Sequence, residues 1–193
     1  MILDATDKLL ARSGYKKMTI DDLAREVGIG KGSIYLHFKS KEEIALSHID
    51  RIIMRVKQKL QAIADSQMPC EDRIVEMLVE RVLCRFDSVQ HYSQSFDEML
   101  SHLRPKLLQR RERYFEEESR IFARVLDEGK CRGIFLDGDP IEKASVLLTA
   151  TNSLLPFSLT TRELGKRKEI ENKTRKVAEL LLTGLLKDKS NYK

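Results

Sequence analysis

The sequence predicts an all-α protein in which a three-helix N-terminal unit precedes a larger helical domain. Apolar residues recur at helical spacing along nearly the whole chain, and we find no convincing strand alternation. The chain has 193 residues, of which 41% are hydrophobic and 34% are charged, as is typical of a globular protein. We place the N-terminal domain at residues 1–45 and the helical domain at residues 46–193.

Two short helices joined by a glycine turn dominate the N-terminal domain. A first helix over residues 2–13 leads to Gly14. The next helix, over residues 20–27, follows Thr19, whose hydroxyl can cap it with Asp22 in the capping-box position. Helical spacing gives this second helix one apolar face, formed by Ile20, Leu23, Ala24 and Val27.

The turn and the helix after it expose hydrogen-bond donors. Gly28 supplies the left-handed conformation that ends the preceding helix, and residues 31–38 form the next one, with Ile34 and Phe38 on its apolar face. The positions left for solvent carry no acid; they are Lys31, Gly32, Ser33, Tyr35, His37 and Lys39. A helix-turn-helix presents its second helix to the DNA major groove in this way. The alternative is an ordinary helical hairpin with a solvated face.

These residues resemble one known family. The matching positions run in order through Ile2-Leu3-Asp4-Ala5, Gly14-Tyr15, Thr19-Ile20, Leu23-Ala24, Gly28-Ile29, Lys31-Gly32-Ser33-Ile34-Tyr35, His37-Phe38 and Lys41-Glu42-Glu43-Ile44. They are similar to the DNA-binding domain of the TetR family of one-component bacterial repressors, over about the first 45 to 50 residues. The resemblance implies a homodimer that binds a palindromic double-stranded DNA operator and is released by a small-molecule effector.

Five residues divide into those that position DNA and those that read it. The resemblance implies that Lys41, at the start of a long helix, and Tyr35 contact phosphate, and we expect Thr19 to donate to phosphate as well. Lys31 and Ser33 are the candidates for contacts with base edges, with Lys31 a donor to guanine acceptors.

Two further positions belong to the same predicted surface. Gly32 lets the backbone approach the groove closely, and His37 either contacts phosphate or base or packs beside Phe38. Many family members carry a basic arm before the first helix, whereas here a helix begins almost at Met1. We therefore expect residues 19–41 to read the whole DNA site.

Helical patterns continue through the second domain. A long helix starting at Lys41 should link the two domains, and a loop over residues 133–140 should interrupt the later helices. The expected helices run from Lys41 into the Ala62–Ser66 region, from Pro69 through Phe86, over residues 92–103, from Pro105 to Glu128, over residues 140–163 with a disturbance at Pro156, and from Lys168 to Lys187.

Two of these helices carry apolar surfaces suited to a partner. The last helix has a stripe at helical spacing, formed by Val177, Leu180, Leu181, Gly184 and Leu185. The segment over residues 144–155 is apolar and small nearly all round. The resemblance implies a four-helix bundle with the same two helices of a second subunit; the alternative is that both pack within their own domain.

The effector would enter the helical domain. Candidate contacts are polar or aromatic residues expected to face inward: Tyr92, Phe96, Met99, His102, Phe122, Asn152 and Phe157. Each of them alone is also explained by core packing or surface exposure. Asn152 is the most informative, because an amide in so apolar a helix needs a partner, either an effector or the other subunit. The surrounding Phe, Met, Leu and Ile favour an apolar or amphipathic molecule.

Other classes of function find no support. The chain lacks the GxxxxGK[ST], GxSxG and HExxH motifs, and its four histidines are scattered, so we expect no catalytic residue, metal or cofactor. Cys70, Cys84 and Cys131 lack metal-ligand spacing and are interpreted as reduced thiols of a cytoplasmic protein, with a redox-sensing cysteine as the alternative. No apolar run approaches the roughly 20 residues of a membrane span.

The net charge of +5 mildly favours an anionic partner. A ligand-independent architectural DNA binder and a ligand-responsive activator stay open as alternatives.

Overall fold

The computed structural model describes residues 1–90, 93–156 and 165–187, with residues 93–98 described as backbone only. This part of the chain is all-α, as the hydrophobic periodicity predicts, and its strand-type pairing is limited to one isolated bridge between Phe135 and Leu186. The eight α-helices are α1 (Ile2–Lys17), α2 (Ile20–Val27), α3 (Lys31–His37), α4 (Lys41–Ala64), α5 (Cys70–Val89), α6 (Ser93–Cys131), α7 (Pro140–Thr151) and α8 (Arg167–Thr183).

Local signals in the N-terminal unit are confirmed. The Thr19 hydroxyl accepts a hydrogen bond from the backbone N–H of Asp22 at 3.1 Å, and the Asp22 carboxylate accepts from the backbone N–H of Thr19 at 3.2 Å, which completes the capping box. Gly28 ends α2 in the left-handed conformation, with φ 77°. Gly14, also at positive φ, interrupts α1 before its last turn.

The N-terminal core reaches beyond the three-helix unit. Its buried side chains come mainly from α1, α2 and the start of α4, including Leu9 and Ile44. It also takes Val89 from the end of α5 and Met99 and Leu103 from α6. The N-terminal domain is therefore seated on the ends of two helices of the second domain.

Helix α4 runs continuously between the two cores. It begins after Ser40, whose side chain accepts from the backbone N–H of Glu43 at 3.1 Å, and it continues to Ala64, within the predicted region. Ile44 belongs to the N-terminal core, whereas Leu60 belongs to the core of the helical domain. The predicted domain boundary at residue 45 thus lies within the continuous helix α4.

The prediction of a new helix at Pro105 is wrong, because α6 runs unbroken from Ser93 to Cys131 with Pro105 inside it. Proline has no backbone N–H, so α6 lacks the hydrogen bond that residue 105 would otherwise donate to the carbonyl of Ser101. Both residues are exposed, so water can reach that carbonyl. The cost of the missing bond is therefore small at this position.

The prediction of one helix over residues 140–163 is also wrong within the described residues. Helix α7 ends at Thr151, and a 3₁₀ turn over Asn152–Leu154 follows. Leu155 is then extended, with φ −81° and ψ 146°, because the ring of Pro156 disfavours helical backbone at the residue before it.

Helix α5 is the centre of the second domain and packs against α4, α6 and α8. Helix α8 ends at Thr183, earlier than the predicted Lys187, and the residues after it extend along the loop before α7. The backbone N–H of Leu136 donates to the Leu185 carbonyl at 2.8 Å, and that of Lys187 donates to the Ile134 carbonyl at 3.1 Å. None of the described helices is long and apolar enough to cross a membrane.

Candidate nucleic-acid interface and internal cavity

Helix α3 presents a continuous exposed surface. Ile34 is fully buried against the N-terminal core and orients the helix. The predicted contact residues of this helix are all exposed, namely Lys31, Gly32, Ser33, Tyr35 and His37. The fold therefore displays together the donors that were selected from the sequence.

Gly32 has no packing role in the chain itself. A Cβ added at this position would meet no heavy atom within 4 Å, and its φ is not in the left-handed region. A larger side chain would therefore fit the isolated protein. The absence of a side chain leaves the α3 backbone open at this position, and close approach to a DNA groove there stays a prediction.

Leu36 is a contact candidate that the sequence reasoning missed. Its side chain is 83% exposed on α3, an unusual position for a leucine. Apolar side chains in the major groove contact the methyl group of thymine. Helical spacing could have identified this residue. Leu36 lies two residues from both buried Ile34 and half-buried Phe38, so it points away from the helix face that those two residues share.

Lys31 is held by an acid from the neighbouring helix. Its Nζ donates to Oδ2 of Asp21 at 2.9 Å, and both side chains are about half exposed. The hydrogen bond and the charge of Asp21 raise the pKa of Lys31. Contact between Lys31 and a base would therefore require the lysine to leave Asp21.

Replacing Asp21 with asparagine is expected to strengthen DNA binding at least about twofold, because an exposed ion pair that competes with DNA is removed. A gel-shift titration at fixed salt measures the change. Glu26→Gln is the matched control, since it removes the same charge from α2 while Glu26 pairs with Lys8 rather than with Lys31. An equal gain in both variants would show that only net charge is involved.

Lys41 and Thr19 already have partners within the protein. The Lys41 ammonium donates to the carbonyls of Tyr15 at 3.0 Å and Lys16 at 3.3 Å, and it lies 4.6 Å from the centre of the Tyr15 ring. An ammonium has three donors, so one remains for phosphate. The Thr19 hydroxyl donates to the Asp22 carboxylate at 2.7 Å. Phosphate contact by either residue stays a prediction.

A cavity of about 500 Å³ lies between α4, α5 and α6. This size is within the usual range of small-molecule sites, about 300–1,000 Å³. The walls are largely apolar and include Ile52 and Ile53 of α4, Val89 of α5 and Leu107 of α6. Because α4 begins in the helix-turn-helix domain, the cavity touches an element that both domains share.

A buried ionic cluster forms the polar end of the cavity wall. Glu118 of α6 accepts from Nε of Arg81 at 2.7 Å through one oxygen and from Nη2 of Arg85 through the other. Burial lowers the pKa of Arg81 to about 10. Burial also acts to raise the pKa of Glu118, but the charges and hydrogen bonds of Arg85 and Arg81 outweigh it, so this pKa is lowered. Arg81 and Glu118 are therefore charged near neutral pH.

Tyr114, another lining residue, joins α6 to α4. Its hydroxyl donates to Asp50, which also accepts from Arg110. Burial and the hydrogen bond to Asp50 raise the pKa of Tyr114 to about 12, so the phenol keeps its proton. The contact ties the cavity wall to the helix that leads to the DNA-facing unit.

The predicted effector contacts are scattered in the structure. Asn152 lines the cavity, and its Oδ1 accepts from Nη2 of Arg81 at 2.9 Å, which supplies the partner that its amide needs. Met99 and Phe122 are fully buried in the N-terminal and C-terminal cores respectively. His102 is exposed, with its ring 5.8 Å from that of Tyr15. Tyr92, the Phe96 side chain and Phe157 lie outside the described residues.

Sequence reasoning missed the arginines and Glu118 because charged residues are rarely buried. A weak signal exists: Arg81, Arg85 and Glu118 each lie among apolar residues at core spacing. Of the three cysteines, Cys70 and Cys84 are buried and Cys131 is exposed. Within the described part of the chain, no group of three histidine, cysteine or acidic residues is placed to hold a metal ion.

Residues 2–47 match the family model for bacterial regulatory proteins of the tetR family. One sequence relative is the uncharacterised HTH-type transcriptional regulator YhgD of Bacillus subtilis, 32% identical over 74 residues. That alignment covers 38% of this chain and 39% of the relative. The match to such relatives therefore spans less than half of their length.

Two solved structures share the fold over nearly the whole chain. A transcriptional regulator from Cytophaga hutchinsonii superposes with a TM-score of 0.76 at 21% identity, covering 96% of each chain. The regulator FadR from Bacillus subtilis, solved in complex with stearoyl-CoA, gives a TM-score of 0.67 at 18% identity, covering 95% of this chain and 97% of that one. The chain therefore carries a helix-turn-helix segment that matches the tetR family, within an overall fold that these solved transcriptional regulators share.

Proposed function

We propose that this protein is a sequence-specific DNA-binding transcriptional regulator, a repressor that binds a palindromic operator as a homodimer and is released by a small molecule. The observation that carries the proposal is the exposed α3 surface, where Lys31, Ser33 and Tyr35 offer donors beside an open backbone at Gly32. A recognition helix in the major groove uses such donors to read base edges.

The homodimer is supported by apolar surface on α7 and α8. The core face of α8 is formed by Ile170, Thr174, Ala178 and Leu182. Within the predicted partner stripe, Leu181 and Leu185 pack against the core of this chain, whereas Leu180 is 76% exposed. Val146 of α7 is 58% exposed. Packing within the chain therefore leaves these side chains uncovered, and a second subunit would bury them.

Control by a small molecule is supported by the cavity. A core that served only structure would be filled, because voids in protein interiors are costly. FadR, which shares this fold, was solved with stearoyl-CoA bound. An effector that fits only one position of α4 would shift the relative placement of the two recognition helices. Ile49, Ile52 and Ile53 would transmit that shift, because they belong to α4 and line the cavity.

The first test is a gel shift on the DNA that flanks the gene of this protein. A complex that is sensitive to salt and prefers one sequence supports the proposal. Binding without sequence preference, or no binding, contradicts it. An architectural protein would bind DNA but keep the same affinity with every small molecule. A reporter fused to the operator distinguishes repression from activation.

Lys31→Ala is expected to relax the sequence preference at one base position, with a loss of about 1–3 kcal/mol on the preferred site. Binding to a library of operator variants measures this change. Lys8→Ala is the control, because it removes the same charge from an exposed position on α1. The sequence preference of this variant is expected to be unchanged. Equal weakening of specific and non-specific binding by Lys31→Ala would assign the residue to phosphate instead.

A further inference from the structure

Among the residues that the structure describes, the ionic cluster in the cavity wall holds one more positive charge than negative charge. Arg81 and Arg85 both pair with Glu118, so two cations share one carboxylate. The three residues are only 3%, 6% and 1% exposed, respectively. Water therefore screens the excess charge poorly, and an unpaired charge in such a place is unfavourable.

The two arginines differ in how fully their donors are used. Arg81 donates through Nε to Glu118, through Nη1 to Thr151 at 3.2 Å and through Nη2 to Asn152 at 2.9 Å. Arg85 donates through Nη1 to the Arg81 carbonyl at 2.9 Å and through Nη2 to Glu118. Its Nε is buried and has no hydrogen-bond partner among the described residues. A buried donor without an acceptor is rare and needs an explanation.

The rest of the cavity lining adds positive charge and hydrocarbon. Its charged members are four arginines and one acid, because Arg104 and Arg111 line the cavity in addition to the three residues of the cluster. The nearby acid Asp50 is occupied by Arg110 and Tyr114. Apolar side chains from α4, α5 and α6 cover the remaining walls. The site thus combines apolar surface with an excess of cations.

We propose that the cavity binds an amphipathic carboxylate whose head group accepts a hydrogen bond from Arg85 and whose hydrocarbon body packs against the apolar wall. A single carboxylate matches the one excess charge and can accept a hydrogen bond from Nε of Arg85, which has no other partner among the described residues, and charge-assisted bonds to guanidinium are strong. The hydroxyl of a neutral amphipath could accept that hydrogen bond but would leave the excess positive charge without a counter-ion. This inference rests on the proposed function, because it names the class of effector for the cavity.

Decanoate and 1-decanol are the probes, because they differ in the charged head group and share the same chain length. Isothermal titration of the full-length protein with each probe measures affinity without DNA. Decanoate is expected to bind at least about tenfold more tightly, as a hydrogen bond between charged groups predicts. Equal affinities, or no binding of decanoate, would overturn the proposal.

Arg85→Met tests the residue itself. The affinity for decanoate is expected to fall about ten- to a hundredfold, whereas the affinity for 1-decanol stays the same. Arg124→Met is the control, since Arg124 is exposed and pairs with Asp65 outside the cavity. Unchanged binding of decanoate to Arg85→Met would overturn the assignment. Circular dichroism confirms that each variant is folded, and the comparison of the two probes on the unaltered protein needs no variant.

Gel shifts with and without decanoate separate this inference from the proposed function. If decanoate binds but operator affinity stays constant, the carboxylate site is supported and regulation by an effector is wrong. If the protein binds its operator but not decanoate, the effector class is wrong and DNA recognition stands. Binding of decanoate together with release of DNA supports both.

Discussion

Replacing Glu118 with glutamine is expected to lower the free energy of unfolding by about 3–5 kcal/mol, which makes it the most damaging single change that we predict for stability. The carboxylate is the shared partner of Arg81 and Arg85, and all three side chains are buried. Its loss leaves two unpaired cations in the protein interior. Urea unfolding at one fixed protein concentration measures the difference.

The pH dependence of the same variant provides a second readout. The pKa of Glu118 is lowered, because its arginine partners outweigh the effect of burial. A carboxylate whose folded pKa is lowered stabilises the protein above its unfolded pKa, about 4.3, and loses that contribution as the pH falls through the folded value. The difference in the free energy of unfolding between the unaltered protein and Glu118→Gln should therefore be largest near pH 7 and decrease in acid.

Glu116→Gln is the control for Glu118→Gln. Glu116 lies two residues away on the same helix and is 58% exposed in an ion pair with Arg120. Surface pairs of this kind contribute about 0–1 kcal/mol. A loss in Glu118→Gln no larger than in this control would mean that the buried cluster does not contribute to stability.

Leu180→Lys is expected to abolish the homodimer and to weaken operator binding by about a hundredfold or more. A lysine would place its charge in the proposed apolar contact between subunits, where no acid is known to meet it. A monomer also loses the gain that comes from binding two linked half-sites, about 10²–10⁴-fold. Sedimentation velocity reports the assembly state, and a gel shift reports the affinity.

Asn172→Lys separates the effect of charge from that of position. It adds the same side chain to the exposed surface of α8, two turns earlier and outside the apolar stripe. We expect this variant to stay dimeric and to bind DNA normally. A dimeric Leu180→Lys protein with full operator affinity would show that another surface forms the assembly.

The N-terminal unit could be predicted closely because its signals are local. Thr19 and Asp22 cap each other across three residues, and Gly28 meets a backbone requirement at its own position. Ile34 could be assigned to the core because neighbours at helical spacing are apolar too. Each inference needs only the chemistry of a few adjacent residues, so it does not depend on the rest of the chain.

The helix boundaries of the second domain were harder to predict because proline signals depend on their surroundings. Pro105 was expected to begin a helix, yet α6 continues through it where the affected carbonyl is open to solvent. Pro156 was expected only to disturb a helix, yet α7 ends five residues before it. Single-residue propensities are weak where tertiary packing sets the helix length.

The cavity itself shows the limit of sequence reasoning. Asn152 was singled out because its amide needs a partner, and the structure supplies Arg81 as that partner. The pairing joins residues 71 positions apart. Periodicity describes one helix at a time, so it identifies which side is apolar and not which helix that side meets.

The sequence by itself determined the helical class, the capped helix-turn-helix and the donors exposed on α3, because these follow from spacing and backbone chemistry within a few turns. Only the tertiary structure decided that two arginines and one glutamate meet beside a cavity, that Asp21 holds Lys31, and that Leu180 lies outside the core. Those features depend on the packing of helices that are distant in the sequence. Burial then determines how strongly the charges interact and how costly it is to leave a donor without an acceptor.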